Sequence, residues 1–192
     1  YYSSVRTLRA IADAHIVVLM VDAVQGFENQ EQKILEEAIQ RRKGVIIAIN
    51  KWDLVEKDSN TAKYYEKVLT QTLGKYDYFP VIFISAVTKQ RIFKLIELAK
   101  EIQQERHKKI PTSELNDKIL KEIEASPPPA THTGKEVRIK FINQVGDNYP
   151  VFLFFCNYPK AVSDNYRRFL EKAIRRHFGF KGVPFTISFK EK

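Results

Sequence analysis

Val45-Ile46-Ile47-Ala48-Ile49-Asn50-Lys51-Trp52-Asp53 is the stretch whose reading decides the fold. Five apolar, mostly β-branched residues run without alternation and stop abruptly at a polar cluster. A short run with no polar face predicts a strand covered on both sides, the kind found in parallel sheets. Working outward, the same pattern recurs upstream from Ile16 to Val21 and downstream at Val81-Ile82-Phe83-Ile84, which stops at Ser85-Ala86. Helical stripes separate these runs. An opening helix extends to about Asp13; Ile34, Leu35, Ala38 and Ile39 mark a second helix; Tyr64, Tyr65, Val68, Leu69 and Leu73 mark a third. A fourth runs from Ile92 to about Glu105 with Leu95, Ile96 and Ala99 expected inward. Alternating helix and strand predicts an α/β fold with a wound, mostly parallel sheet. Such sheets bind ligands beyond the carboxyl ends of their strands, so the two polar clusters are expected to converge on one ligand.

The residue types suggest that this ligand is guanine. Guanine presents its N1–H and exocyclic amine side by side, and an ionised Asp53 is acceptor-only, able to take both in a bidentate, charge-assisted pair. Adenine has no amine at C2 and would face the carboxylate with a lone pair. A site left unpaired in this way discriminates strongly. Asn50 can hold the loop or reach the purine N7. Lys51 can lay its apolar stem across the ring while its ammonium stays in water. Ser85-Ala86 offers a short side chain, and the Ala86 N–H is a candidate donor to the guanine O6. The competing structural reading is a polar loop in which Asp53 caps a turn.

No G-x-x-x-x-G-K-[ST] phosphate loop occurs in the chain: its first glycine is Gly26, and no Gly-Lys-Ser/Thr follows one. No D-x-x-G motif occurs in the chain either. This chain alone is therefore expected not to hydrolyse GTP. His15, His107, His132 and His177 are scattered, with no neighbouring ligands at metal-binding spacing.

After His107-Lys108-Lys109-Ile110-Pro111 the pattern changes. The two lysines suit a helix carboxyl end, and Pro111 cannot continue the helix. Thr112 or Ser113 is expected to cap a helix bearing Leu115, Ile119, Leu120 and Ile123, which ends at Ser126-Pro127-Pro128-Pro129. Val137, Ile139 and Phe141 alternate with Arg138 and Lys140 as in a half-buried strand, and Gly146-Asp147-Asn148 turns into the apolar strand Val151 to Cys156. Asp164 to Phe178 is amphipathic: Tyr166, Phe169, Leu170, Ala173, Ile174 and Phe178 oppose Arg167, Arg168, Lys172, Arg175 and Arg176. The final strand is Phe185 to Phe189. The order helix–strand–strand–helix–strand predicts a small α+β unit with a three-stranded sheet and helices on one face. Gly179-Phe180-Lys181-Gly182 matches a backbone-clamping GxxG loop, but Val183-Pro184 leads straight to a strand, which favours a helix cap and a turn.

The 192 residues carry a net charge of +9, with 18 basic and 14 acidic residues up to Ile110 against 14 and 9 from Pro111 onward. The smaller second part is the more basic per residue, as an RNA-facing surface would be. The basic helix face can meet RNA, dock against another domain or be solvated. A single cysteine, Cys156, excludes an internal disulfide, and no apolar run reaches membrane-spanning length. A cytoplasmic protein with no membrane partner is expected.

Asn50-Lys51-Trp52-Asp53 resembles the guanine-recognition NKxD motif of translation-factor-related GTPases, and Ser85-Ala86 resembles their second base-binding motif. With the triple proline, the GxxG before the last strand and the opening Y-x-x-V-R-x-x-R-A-I helix, the chain resembles the bacterial double-Era GTPases, also called Der or EngA. The resemblance implies the back part of a P-loop GTPase domain at residues 1–109 and a KH-like domain at 110–192. It implies base recognition by Asn50, Lys51, Asp53, Ser85 and Ala86, with GTP or GDP as ligand and Mg²⁺ held by residues upstream. It further implies a preceding first GTPase domain and a role in maturing the large ribosomal subunit, with ribosomal RNA as partner. Lys89 and Arg91 depart from the family, standing where small residues or glycine are common. The alternatives are a single-domain Era-type GTPase and a non-catalytic RNA-binding or domain-docking module.

Overall fold

The computed structural model describes residues 2–56 and 60–191, without the side chains of residues 2–4, so the Tyr2 side chain of the opening motif lies outside the described residues. The chain divides into two compact units, Tyr1–Arg106 with Lys181–Pro184, and His107–Phe180 with Phe185–Lys192.

In the first unit, β1 (Ile16–Asp22), β2 (Gly44–Asn50) and β3 (Val81–Phe83) form a parallel sheet in that order. The helices are α1 (Tyr2–Asp13), α2 (Asn29–Gln40), α3 (Thr61–Leu73) and α4 (Ile92–His107). Val45 to Ile49 are wholly buried, as their unbroken apolar run requires. Leu35 and Ala38 of α2, Leu69 and Leu73 of α3, and Phe79 and Phe83 complete the core around them.

Two expectations are corrected here. β1 is not covered on both faces: Leu19 and Val21 are buried, but Val18 and Met20 are 37% and 47% exposed. It is the edge strand of the described sheet and alternates as a half-covered strand does. In α4, Ile96 is half exposed; the inward stripe instead runs through Ile102 to the buried Arg106. The Arg106 guanidinium donates to the carbonyls of His15 at 2.9 Å and Arg42 at 2.8 Å, tying α4 to the segments that enter β1 and β2. Burial holds its pKa below the ordinary arginine value. Gly44 lies beside this clamp, where a Cβ would stand 2.5 Å from Ile16 Cδ1 and 2.7 Å from Ile102 Cγ2. A larger residue fits there only if these packed side chains shift.

In the second unit, α5 (Thr112–Ala125) and α6 (Asp164–Phe178) accompany a sheet ordered β4 (Ile139–Val145), β5 (Val151–Cys156), β6 (Thr186–Glu191). β4 and β5 are antiparallel; β5 and β6 are parallel, with α6 as the crossover. Leu115, Ile119 and Ile123 of α5 and Leu170, Ala173 and Ile174 of α6 are buried, as are Ile142, Phe152, Phe154 and Cys156 of the sheet. Burial also pushes up the Cys156 thiol pKa, as expected of a core residue.

Three local expectations change. The register slips between Ile139 and Phe141, so Val137 and Ile139 are buried while Phe141 is turned out, 39% exposed, and Ile142 takes the inner position. An extra residue in one strand reverses the faces beyond it. Neither Thr112 nor Ser113 caps α5: Thr112 is its first helical residue and Pro111 holds the cap position. Lys108 serves the carboxyl end of α6 instead of its own helix, donating from Nζ to the Phe178 carbonyl at 2.6 Å.

The GxxG sequence is a helix stop. The Gly179 N–H donates to the Arg175 carbonyl at 2.8 Å with φ at +84°, a left-handed conformation suited to glycine. Phe180 is fully buried, edge-on to Phe152 and Phe185.

Ser163 caps α6 by accepting from the Tyr166 N–H at 3.3 Å, and the Tyr166 hydroxyl donates to the Ser126 carbonyl at 2.7 Å. Burial raises the Tyr166 pKa from 10.0 to about 12. The folded state therefore keeps this proton longer than the unfolded chain, and the stability it contributes is complete below pH 10.0 and lost as pH rises toward about 12. Tyr166→Phe is expected to cost about 1 kcal/mol at neutral pH by orphaning the Ser126 carbonyl. It should also remove that alkaline component, which chemical denaturation from pH 8 to about 12 will read.

Candidate functional site

The parallel ladders bring three strand ends abreast. Asp22 ends β1 directly opposite Asn50, which ends β2. The Ile84 N–H donates to the Ile49 carbonyl at 2.8 Å and carries the pairing of β3 forward, so that Ser85 arrives beside them. The sequence expectation that the two polar clusters meet is thus realised in the backbone.

Each expected residue has a definite place. Asn50 Oδ1 accepts the Ala86 N–H at 3.0 Å, a side-chain bond linking the loops after β2 and β3. Of the two roles open to Asn50, the structure shows the loop-holding one, and it engages the N–H expected to face the guanine O6. Lys51 is left-handed, with φ at +61°, and its Nζ lies 2.6 Å from Asp22 Oδ2. Asp53 is exposed in the short 3-10 turn Trp52–Leu54, and its carboxylate has no partner among the described residues. Ser85 is wholly buried. Its Oγ accepts the Thr88 N–H at 3.2 Å and its own N–H donates to the Gln90 carbonyl at 3.3 Å, closing a tight loop. Lys89 and Arg91 have φ of +61° and +58°. Both occupy conformations in which glycine is at ease.

Three contributors were not assigned a role from sequence. Trp52 is buried, donates its backbone N–H to the Ile84 carbonyl at 3.1 Å, and packs 4.3 Å from Phe83 and edge-on to Tyr65. It thereby anchors the loop after β2 to β3 and α3. The Tyr65 hydroxyl in turn donates to the Ala23 carbonyl at 3.2 Å, steadying the loop after β1. Asp22 Oδ1 accepts the Val24 N–H at 2.8 Å and the Gln25 N–H at 3.4 Å. The hydrogen bond from Lys51, joined by those of the turn, holds its carboxyl below the usual carboxylate range. A carboxylate closing an apolar strand was the readable signal for Asp22.

The basic face of α6 is less available than its sequence suggests. Arg175 is stacked 4.3 Å from the Phe185 ring, pairs with Glu171 at 3.1 Å, and donates to the Phe180 carbonyl at 2.9 Å. Arg167 lies over Phe189 and donates to the Ile187 carbonyl at 3.1 Å, while Arg176 pairs with Glu122 at 2.8 Å. Arg168 and Lys172 remain exposed.

Strand ends built from N-K-x-D and S-A on a parallel sheet define a GTP-binding domain, and residues 4–105 match the family described as the Elongation factor Tu GTP binding domain. Residues 109–190 match the KH-domain-like C-terminal family of EngA bacterial GTPase enzymes. The chain belongs to the family of the Elongation factor Tu GTP binding domain, and along its whole length it is similar to proteins named GTPase Der. It is 46% identical over all 192 residues to GTPase Der of Chlorobium phaeobacteroides and 47% identical over 192 residues to that of Chlorobium luteolum. It spans 44% of the length of each of these curated relatives. Among solved structures, Aquifex aeolicus Era bound to GDP·AlF4⁻ is 17% identical with a TM-score of 0.43, covering 96% of this chain and 67% of that one.

If Asn50 works by holding the two loops together, Asn50→Ala will speed hydrogen exchange of the Ala86 amide and weaken GDP binding by about tenfold, the equivalent of one hydrogen bond. Exchange mass spectrometry and calorimetric titration of the complete protein check the two effects.

Proposed function

We propose that this chain supplies guanine recognition and a KH-like domain to a GTP-hydrolysing protein acting in large ribosomal subunit assembly in the cytoplasm. Residues 1–109 form the GTPase part and residues 110–192 the KH-like part. The observation that supports this most is the exposed Asp53 carboxylate, without a partner among the described residues, beside the cross-loop bond that Asn50 accepts from Ala86. Asp53 offers two acceptor oxygens to the two adjacent donors of guanine, and the Lys51 stem offers an apolar surface to the ring. Asn50, Ser85 and Ala86 hold the second loop at the edge of that site.

Hydrolysis in the complete protein would draw on a phosphate loop and on Mg²⁺. Mg²⁺ would supply charge neutralisation at the phosphates. Among the described residues no cluster of three or more His, Cys, Asp or Glu suits a metal ion, so Mg²⁺ has no ligand set to assign here. The parent's first GTPase domain and the ribosome are the remaining proposed partners. No helix among the described residues is long and apolar enough to cross a membrane.

Asp53→Asn tests the base site in the complete protein. GDP affinity should fall by a factor of about a hundred or more, while xanthosine diphosphate, whose C2 carbonyl replaces the amine, is retained or gained. Equal losses for both nucleotides would remove direct base contact from the proposal.

Ribosomal RNA as partner is supported by the positive balance of the second part and by the exposed Arg168 and Lys172. Arg168→Glu with Lys172→Glu should weaken association with large-subunit precursors and lessen its salt dependence, because released counterions scale with phosphates neutralised. Substituting Arg167 or Arg175 would disturb packing as well as charge, so those positions are poorer probes. Unchanged binding and salt slope would favour a solvated or domain-docking face.

A further inference from the structure

We propose that Asp22 is a positioning residue for base recognition, acting on the ligand through Lys51. The inference rests on the guanine-site reading above and adds to it a residue outside both recognition motifs.

Lys51 follows the last residue of β2 in a left-handed conformation, and its ammonium is 2.6 Å from the carboxylate that ends β1. The four-carbon stem is therefore drawn across the mouth between two adjacent strand ends, its side chain still 52% exposed. A free lysine stem has several rotatable bonds and would have to be ordered when a planar base settled on it. The tether does that ordering beforehand, leaving an apolar wall next to Asp53.

Asp22 is itself well fixed. Oδ1 accepts from the amides of Val24 and Gln25, and Oδ2 faces the lysine. The Ala23 N–H donates to the Asn50 carbonyl at 2.9 Å, so the backbones carrying the pair are also joined. Charge and direction, not bulk, are what the carboxylate contributes. An asparagine could still accept the turn amides but would hold the ammonium far less strongly. The tether is open to solvent on its lysine side, so its weight in the stability of the nucleotide-free fold is small. Its effect should therefore appear in nucleotide affinity and hardly at all in the melting temperature.

The test is a double-mutant cycle in the complete protein, with GDP affinity and nucleotide-free melting temperature measured for wild type, Asp22→Asn, Lys51→Met and the double variant. Asp22→Asn should weaken GDP binding about fivefold, and once Lys51 is replaced, adding Asp22→Asn should cost almost nothing more. Melting temperatures of the wild type and Asp22→Asn should agree closely. Effects on affinity that simply multiply would overturn the proposal. So would an Asp22→Asn protein that melts lower yet binds GDP as the wild type does. The Asp53→Asn comparison of guanine and xanthine nucleotides is run alongside. If it shows no switch, the base-site reading itself fails; if the switch is present and the cycle is additive, only the role of Asp22 fails.

Discussion

A strand with no exposed side chain must also have both of its hydrogen-bonding edges occupied, and β2 imposes this constraint on the first unit. Val45 to Ile49 contribute nothing to the surface, so their amides and carbonyls need partners on either side. β1 provides them along one edge in parallel register, and β3 with the Pro80 and Gly182 carbonyls along the other. Parallel pairing carries the carboxyl ends of all three strands to one edge. Asp22, Asn50 and Ser85 are neighbours because the backbone of β2 has to be satisfied, and the chemistry of the site is built on that alignment.

Much of this could be read from residue order. The uniform run before Asn50 and its two echoes gave the three strands and the sheet class, although β1 is covered on one face only. What escaped had physical causes that lie beyond a single segment. A lone extra residue in β4 reversed the face of Phe141, and periodicity cannot show such a slip until the partner strand is known. Ile96 is apolar and helical yet half exposed, because a stripe of allowed positions is wider than the surface that covers it. Lys108 looked like a cap for its own helix and instead reaches a carbonyl of α6, seventy residues away in sequence. The basic stripe of α6 was legible as charge, but its cation–π and carbonyl contacts arise only once β6 and the Phe180 turn are folded beside it.

The candidate site shows a division between residues that meet solvent and residues that hold them. Asp53 and the Lys51 stem are exposed, whereas Ser85 and Trp52 are buried and secure the two loops from below. Sequence motifs record both groups with equal weight. The structure separates them: replacing Ser85 or Trp52 alters loop shape, while replacing Asp53 alters what the loop presents.

The left-handed residues after β3 add a consequence of their own. Lys89 and Arg91 hold conformations that cost a side-chain-bearing residue about 1–2 kcal/mol, where a glycine would sit without strain. A glycine, though, would give the free loop many more shapes to abandon on capturing a ligand. The bulkier residues exchange a standing penalty in the folded protein for a smaller entropic toll at the moment of binding. Compared with a Lys89→Gly, Arg91→Gly variant, this chain should therefore lose less conformational entropy when the loop captures the ligand proposed above, with affinity shifted less than either component.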